Sequence, residues 1–301
     1  MHSKKGRQDR IIMENNSKIF VIESLQEGDK KTGTNLYNDL IRYHFPFDSK
    51  LYEVIDNGDW YGAIEDIKSK VKPGDVVFLH LEAHGNEKGT AIILTNGEEL
   101  TFRKIGDDFI CINRIIGCNL FVTLAVCHGL FLIMDSMSLE KMPFCGLLGS
   151  LQAINESDLE IRYYEFYRSY SQFQDIELAM EELKKSNPSI PSSYSFLKPE
   201  MIFFQTWKEY FEVTSDEEWQ KKRSHIVARR HRLNREQRRA YLRKFKNENE
   251  PCAKRVFKQK AEEFFMLKEF PENKTRFCID YSYYYNQEGD ALMNKGKEGK
   301  E

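Results

Sequence analysis

"VVFLHLEAHGNEKG", Val76 to Gly89, is the stretch whose reading decides the fold. It follows the turn signal "KPGD" and opens with an unbroken run of β-branched and apolar residues. A short apolar run bounded by turn residues reads as a strand buried on both faces. His80, Glu82, His84 and Gly85 then crowd into six positions, 80–85, before the chain turns polar. Side chains alternate along a strand, so His80, Glu82 and His84 share one side of it. Polar groups of this kind gathered at the end of a buried strand point to chemistry at that end.

Working outward, strands and helices alternate. "KIFVIESL" (18–25) is short and β-rich, "NLYNDLIRYHF" (35–45) carries apolar residues at helical spacing, and "KLYEVIDN" (50–57) is strand-like. "GDWYGAIEDIKSKV" (58–71) is an amphipathic helix with Trp60, Ile64, Ile67 and Val71 near one face. Strands separated by single helices predict a mostly parallel sheet covered by helices on both faces. "GTAIILTNGEELTF" (89–102) reads as a hairpin turning at Asn96-Gly97, both with positive φ. A helical segment around 103–117 leads into a buried strand, "NLFVTLAVCHG" (119–129), and a further strand, "PFCGLLGSL" (143–151). Helices follow over 157–172 and 175–187, with Ser157 or Asp158, and Asp175, as N-caps.

The chain has 301 residues, 41% of them hydrophobic, enough for one substantial core with a small appendage but not for two large domains. No apolar run reaches the roughly 20 residues that cross a bilayer. The start, "MHSKKGRQDRIIMENNSK", is charged and lacks the apolar stretch of a secretion signal. These features predict a soluble, cytoplasmic protein. The six cysteines form no CxxC pair and most stand in apolar company, which argues against a disulfide framework or a cysteine-rich zinc site. A formal net charge of −2 conceals an asymmetry: residues 220–301 hold 22 Lys and Arg against 12 Asp and Glu, and residues 1–219 hold 23 against 35.

In open α/β sheets, ligands gather outside the carboxyl ends of the strands. Two strands here end in polar, glycine-terminated segments, His84-Gly85 and Cys127-His128-Gly129. If those strands are neighbours, an imidazole and a thiol lie side by side at one rim. A free thiol, with a pKa near about 8.5, is mostly protonated at neutral pH, and a nearby imidazole can take its proton and later return one to a leaving amine. Gly85 would let the backbone approach a substrate carbonyl, and its N–H with that of Cys127 would hold the developing oxyanion. Alone, each feature has a plainer reading, a small core thiol or a histidine beside a turn; their joint placement favours chemistry.

A metal site is the alternative reading of the opening stretch, because imidazole and carboxylate are ordinary zinc ligands. At about 3.3 Å per residue, however, His80 lies about 13 Å from His84, too far for one ion, and the glutamate does not fall at the HExxH offset. No metal and no cofactor are expected. Glu82 then orients His84, lies beneath the substrate pocket, or is a carboxylate hydrogen-bonded within the sheet rim. His80 reads as a packed histidine, Cys145 as a core residue, and His128 as part of a turn.

The stretches "FLHLEAHGNEKGTAIILTNGEELTF", "INRIIGCNLFVTLAVCHGLFL" and "MPFCGLLGSLQAINESDLEIRYYEFYRSY" together resemble the bacterial caspase-like cysteine peptidases of the CHAT group. The resemblance spans about residues 18–185. It implies a caspase-like three-layer α/β/α sandwich and peptide-bond hydrolysis through an acyl-enzyme. By position, His84 is the general base and acid, Cys127 the nucleophile, and Gly85 with Cys127 the oxyanion donors. It also implies a dedicated protein substrate in a bacterial defence or cell-death pathway. "LAVCHG" stands where animal caspases carry a glutamine-alanine-cysteine run, so cleavage after aspartate is not implied.

Beyond the predicted peptidase domain (18–213), whose segment 200–213 reads as a last strand followed by a helix, a basic, helix-rich extension is expected over 214–280 and a disordered tail over 281–301. Lys221 to Lys246 holds 12 Lys and Arg against one acid, Glu236. Such a stripe suits a phosphate backbone or a regulatory protein partner. Equally, Trp219, Ile226, Val227, Leu233 and Leu242 could dock it on the acidic body and leave the arginines solvated. A non-catalytic caspase-like module, binding through this basic segment, is the second functional reading.

Overall fold

The computed structural model describes residues 17–126, 129–130, 140–150, 152–215, 234–237, 239–240 and 249–280. The chain divides into two compact units, residues 1–133 with 144–196 and residues 134–143 with 197–301.

The first unit is built on a mixed, mostly parallel sheet. Its strands are β1 (Ser17–Ser24), β2 (Asp48–Glu53), β3 (Val76–Gly85), β4 (Ala91–Ile93), β5 (Glu99–Thr101), β6 (Leu120–Ala125), β7 (Gly146–Ser150) and β8 (Tyr194–Leu197). The order is β2-β1-β3-β6-β7-β8, with β4 and β5 added as an antiparallel ribbon on the end of β3. The β1–β2, β1–β3, β3–β6 and β6–β7 pairs are parallel. The first eight residues of β3 are buried, as the unbroken apolar run requires of a strand flanked on both sides.

The helices cover both faces of this sheet. Helices α1 (Thr32–Arg42), α4 (Glu156–Phe173) and α5 (Ile176–Lys185) pack on the face formed by Ile19, Val21, Phe78 and Leu148. The alternate residues Phe20, Ile22, Val77, Leu79, Leu81, Leu120, Val122 and Leu124 are equally buried. By strand alternation they face the other way, toward α2 (Asn57–Lys70) and α3 (Phe102–Ile115). Those two helices are joined by the Trp60 indole, which donates to Asp108 at 2.9 Å.

Local chemistry sets the boundaries, and several depart from the sequence reading. Helix α4 is capped by Asn155, whose Oδ1 accepts from the Ser157 and Asp158 amides, rather than by Ser157 or Asp158 themselves. Asp175 does cap α5. In the β4–β5 connection only Gly97 has positive φ (88°), so Asn96 does not share that role. The segment read as a strand followed by a helix, 200–213, lies wholly within α6 (Pro199–Ser215); the strand is β8, just before it. Cys111 and Cys278 are exposed and Cys145 is half-buried, whereas Cys118 fits the expected core thiol.

The second unit comprises α6, α7 (Asn249–Phe264) and α8 (Asn273–Arg276) with their connections. Its core is aromatic: Phe203 meets Phe257, Phe264 and Phe265 at centroid distances of 5.2–5.3 Å. The Asn273 side-chain amide is buried and donates to the Phe265 carbonyl at 2.9 Å. The basic stripe from Lys221 to Lys246 falls almost entirely outside the described residues, as does the tail 281–301. No helix among the described residues is long and apolar enough to cross a membrane.

Candidate active site

Two adjacent strands bear on the predicted site residues. β3 and β6 run parallel, with His80 opposite Thr123 and Glu82 opposite Ala125. The two strands run in the same direction, so Glu82 and Ala125 lie toward the same carboxyl rim. Along β3, Glu82 is followed by Ala83, His84 and Gly85; Cys127 stands two positions beyond Ala125 in sequence and lies outside the described residues, as does His128.

His84 is exposed, with about half of its side chain open to solvent. Its Nε2 lies 2.8 Å from Oδ2 of Asp29. Asp29 belongs to the turn after β1, the other neighbour of β3. That turn holds its carboxylate in place: Oδ2 also accepts from the Gln26 amide at 2.8 Å, and the Asp29 amide donates to the Gln26 carbonyl at 3.2 Å. Gly28, at φ 95°, supplies the left-handed residue that this turn needs. The hydrogen bond to His84 is the main cause that keeps the Asp29 carboxyl below its ordinary pKa, so Asp29 is ionised at neutral pH.

Gly85 lies where the parallel sheet hands over to the antiparallel ribbon, opposite Ile92 of β4, and His84 stands opposite Ile93. On the other side of the rim, the Gly129 amide donates to the Val126 carbonyl at 2.9 Å. A Cβ at Gly129 would come within 3.3 Å of the Leu124 side chain, so this glycine also serves close packing.

Glu82 does not reach His84. It is buried, and its Oε2 has no hydrogen-bond partner; the nearest imidazole is His80, 3.9 Å away. Burial, reinforced by the charge of Glu23, pushes the Glu82 carboxyl up to about 9. It is therefore neutral at pH 7, and neither orients His84 nor forms a hydrogen bond through Oε2 at the sheet rim.

His80 is fully buried, and desolvation lowers its pKa to about 3. Its Nδ1 meets the Thr123 hydroxyl at 2.8 Å, which in turn meets Tyr167 at 2.8 Å. Below the rim, then, lies a neutral polar chain. Glu23, beside it on β1, accepts from both the amide and the hydroxyl of Thr34. It thereby caps α1, whose own N-cap residue Lys31 makes no side-chain bond to the helix.

No group of three or more His, Cys, Asp or Glu able to hold a metal ion is found among the described residues. Sequence reasoning missed Asp29. Its only signal was the polar "QEGDKK" turn after the first strand, which becomes informative once β1 is known to lie beside β3.

No protein-family model and no curated protein matches the chain. Among solved structures it is similar to the protein GSU0716 from Geobacter sulfurreducens, at 8% identity and a TM-score of 0.39, over 60% of this chain and 91% of that one.

Proposed function

We propose that this protein is a caspase-like cysteine endopeptidase in which His84 and Cys127 form the catalytic dyad. The observation that carries this reading is the β3–β6 register. Glu82 pairs with Ala125 on parallel neighbours, and in sequence His84 and Cys127 each stand two residues beyond that pair. The mostly parallel sheet with helices on both faces is the architecture that a caspase-like sandwich requires, and the motifs around His84 and Cys127 supply the rest of the argument.

In this reading the Cys127 thiol gives its proton to His84, and the thiolate attacks the scissile carbonyl carbon. The tetrahedral oxyanion is held by the Gly85 and Cys127 amides. As the C–N bond breaks, the imidazolium donates its proton to the leaving amine, and a thioester remains. Water, deprotonated by His84, then hydrolyses the thioester and releases the thiol. The substrate is a protein, cut in a bacterial defence or cell-death pathway, and the work is done in the cytoplasm. The basic segment from Lys221 to Lys246 binds a regulatory partner or nucleic acid.

Intact-mass analysis after treatment with a panel of peptide chloromethyl ketones tests the dyad. One adduct at Cys127, absent in Cys127→Ala and slowed at least about 100-fold in His84→Ala, is the expected result. Equal labelling of Cys127 and the exposed Cys111 and Cys278 would overturn the reading in favour of a non-catalytic module.

A further inference from the structure

We propose that the cavity beside α7 in the second unit binds a small amphiphilic anion, an apolar body that ends in a phosphate or carboxylate. The cavity has a volume of about 570 Å³, and its lining residues all belong to that unit. This is the size of pockets that take a small organic molecule. The proposal stands apart from the reading of His84 and Cys127 as a dyad.

One wall is a single face of α7. Lys254, Phe257, Lys258, Ala261 and Glu262 recur at steps of three and four residues, which stacks them along one side of the helix. Leu267, Lys274 of α8, Ile279 and Asp280 complete the lining. Phe257, Ala261 and Leu267 are buried and Ile279 is half-buried, so the floor is apolar. That floor is continuous with the aromatic core, because Phe257 also packs on Phe203. Lys274 is placed by its neighbour Asn273, whose buried side-chain amide donates to the Phe265 carbonyl at 2.9 Å.

The charges around this floor call for an anion. Lys254 and Lys258 stand one helical turn apart, a spacing at which like charges repel. Both are exposed, as is Lys274. On α7 it is Lys260 that forms an ion pair, with Glu263 at 2.8 Å; among the described residues none involves Lys254, Lys258 or Lys274. Glu262 and Asp280 also line the cavity, so three ammonium groups face two carboxylates. Glu262 lies one turn beyond Lys258 and two beyond Lys254, which places the anionic group at the Lys254–Lys258 end. There it relieves the repulsion, while the apolar body covers Phe257, Ala261 and Leu267 and the lysine stems extend the apolar surface. A nucleic-acid backbone would engage the ammonium groups but leave the floor uncovered. A neutral apolar molecule would leave the repulsion in place.

Isothermal titration calorimetry of the full chain with octyl phosphate, kept below its micelle concentration, tests the proposal, with octanol and inorganic phosphate as partial ligands. Lysine acetylation by acetic anhydride, mapped by peptide mass, locates the site. Expected is saturable one-to-one binding of octyl phosphate, at least about 10-fold tighter than either partial ligand and weakened at least about 10-fold in Lys254→Gln/Lys258→Gln/Lys274→Gln. Bound ligand should protect Lys254, Lys258 and Lys274 from acetylation and leave Lys260 and Lys268 reactive. No saturable binding would overturn the proposal, as would binding that protects none of the three lysines or that the triple variant retains in full. Octanol or phosphate binding as tightly as octyl phosphate would overturn the pairing of charge with an apolar body. Sedimentation with vesicles containing phosphatidic acid separates the two sources of such an anion: vesicle binding that octyl phosphate does not displace would assign these lysines to a membrane surface and overturn a small-molecule site. The acetylation map is read on wild type, so the proposal stays falsifiable even if the triple variant fails to fold.

Discussion

Nε2 of His80 and Oε2 of Glu82 face each other at 3.9 Å, both residues buried and neither atom hydrogen-bonded. The distance is that of an ion pair, but the charges are absent. Burial lowers His80 to about 3 and raises Glu82 to about 9, so both are neutral across the physiological range.

The sign of the resulting pH dependence differs for the two residues. Glu82 binds its proton more tightly when folded, so its contribution weakens as pH rises from its ordinary value of 4.5 to about 9. His80 binds its proton less tightly when folded, so its contribution grows from about 3 to its ordinary 6.5. The two oppose each other between 4.5 and 6.5, and above 6.5 only the loss from Glu82 remains. Glu82→Gln should therefore match wild type near about pH 4 and gain on it by roughly 1 kcal/mol for each pH unit between about 5 and 9. Urea unfolding at several pH values checks this, and a constant difference between the two proteins would mean that Glu82 is ionised in the fold.

Gly33, in the first turn of α1, leaves room for the same carboxylate. A Cβ there would stand 2.6 Å from Oε2 of Glu82, 3.1 Å from Oε1 of Glu23 and 3.3 Å from the Val21 side chain. The first of these is closer than real Cβ atoms come, and the side chains it meets are buried. Gly33→Ala should cost about 1–3 kcal/mol. In a Glu82→Ala background most of that penalty should vanish, because the clashing group is gone. A double-mutant cycle by chemical denaturation measures the coupling, and equal costs in both backgrounds would refute it.

The α/β class was legible because its signals are local. An unbroken apolar run such as 76–79 has one economical use, a strand covered on both faces, and the helical spacing of Trp60, Ile64 and Ile67 is equally direct. What could not be read depended on neighbours in space. "NESD" offers several capping side chains, and which one caps α4 depends on the angle at which the chain enters. Tyr194–Leu197 is too short a strand to announce itself, whereas Ile202, Phe203 and Trp207 keep helical spacing and belong to α6. His84 was visible as a strand end, but its contact with Asp29 depends on β1 lying beside β3. One sequence does not state strand order. Glu82 illustrates the same limit: its residue type suggested a working carboxylate, and only its burial against Gly33 and His80 reveals a neutral acid.

Arg162 carries the last prediction. Its side chain is fully buried on α4, with Nε directed at both oxygens of Asp158, at 2.7 and 2.8 Å. The two terminal nitrogens donate to the carbonyls of Leu183, Lys184, Asn187 and Ile190, which form the last turn of α5 and the loop beyond it. One guanidinium thus satisfies a buried carboxylate and the open end of a helix, which a planar fork of five N–H donors can do and an ammonium cannot. Arg162→Lys should cost about 3–5 kcal/mol, because buried carbonyls and Asp158 lose partners together. Arg168→Lys, where the side chain is partly exposed and pairs with Glu165 within the same helix, should stay within about 0.5 kcal/mol. Thermal unfolding of the two variants side by side decides the matter. Comparable losses would refute the assignment of the Arg162 contribution to its buried fork of hydrogen bonds.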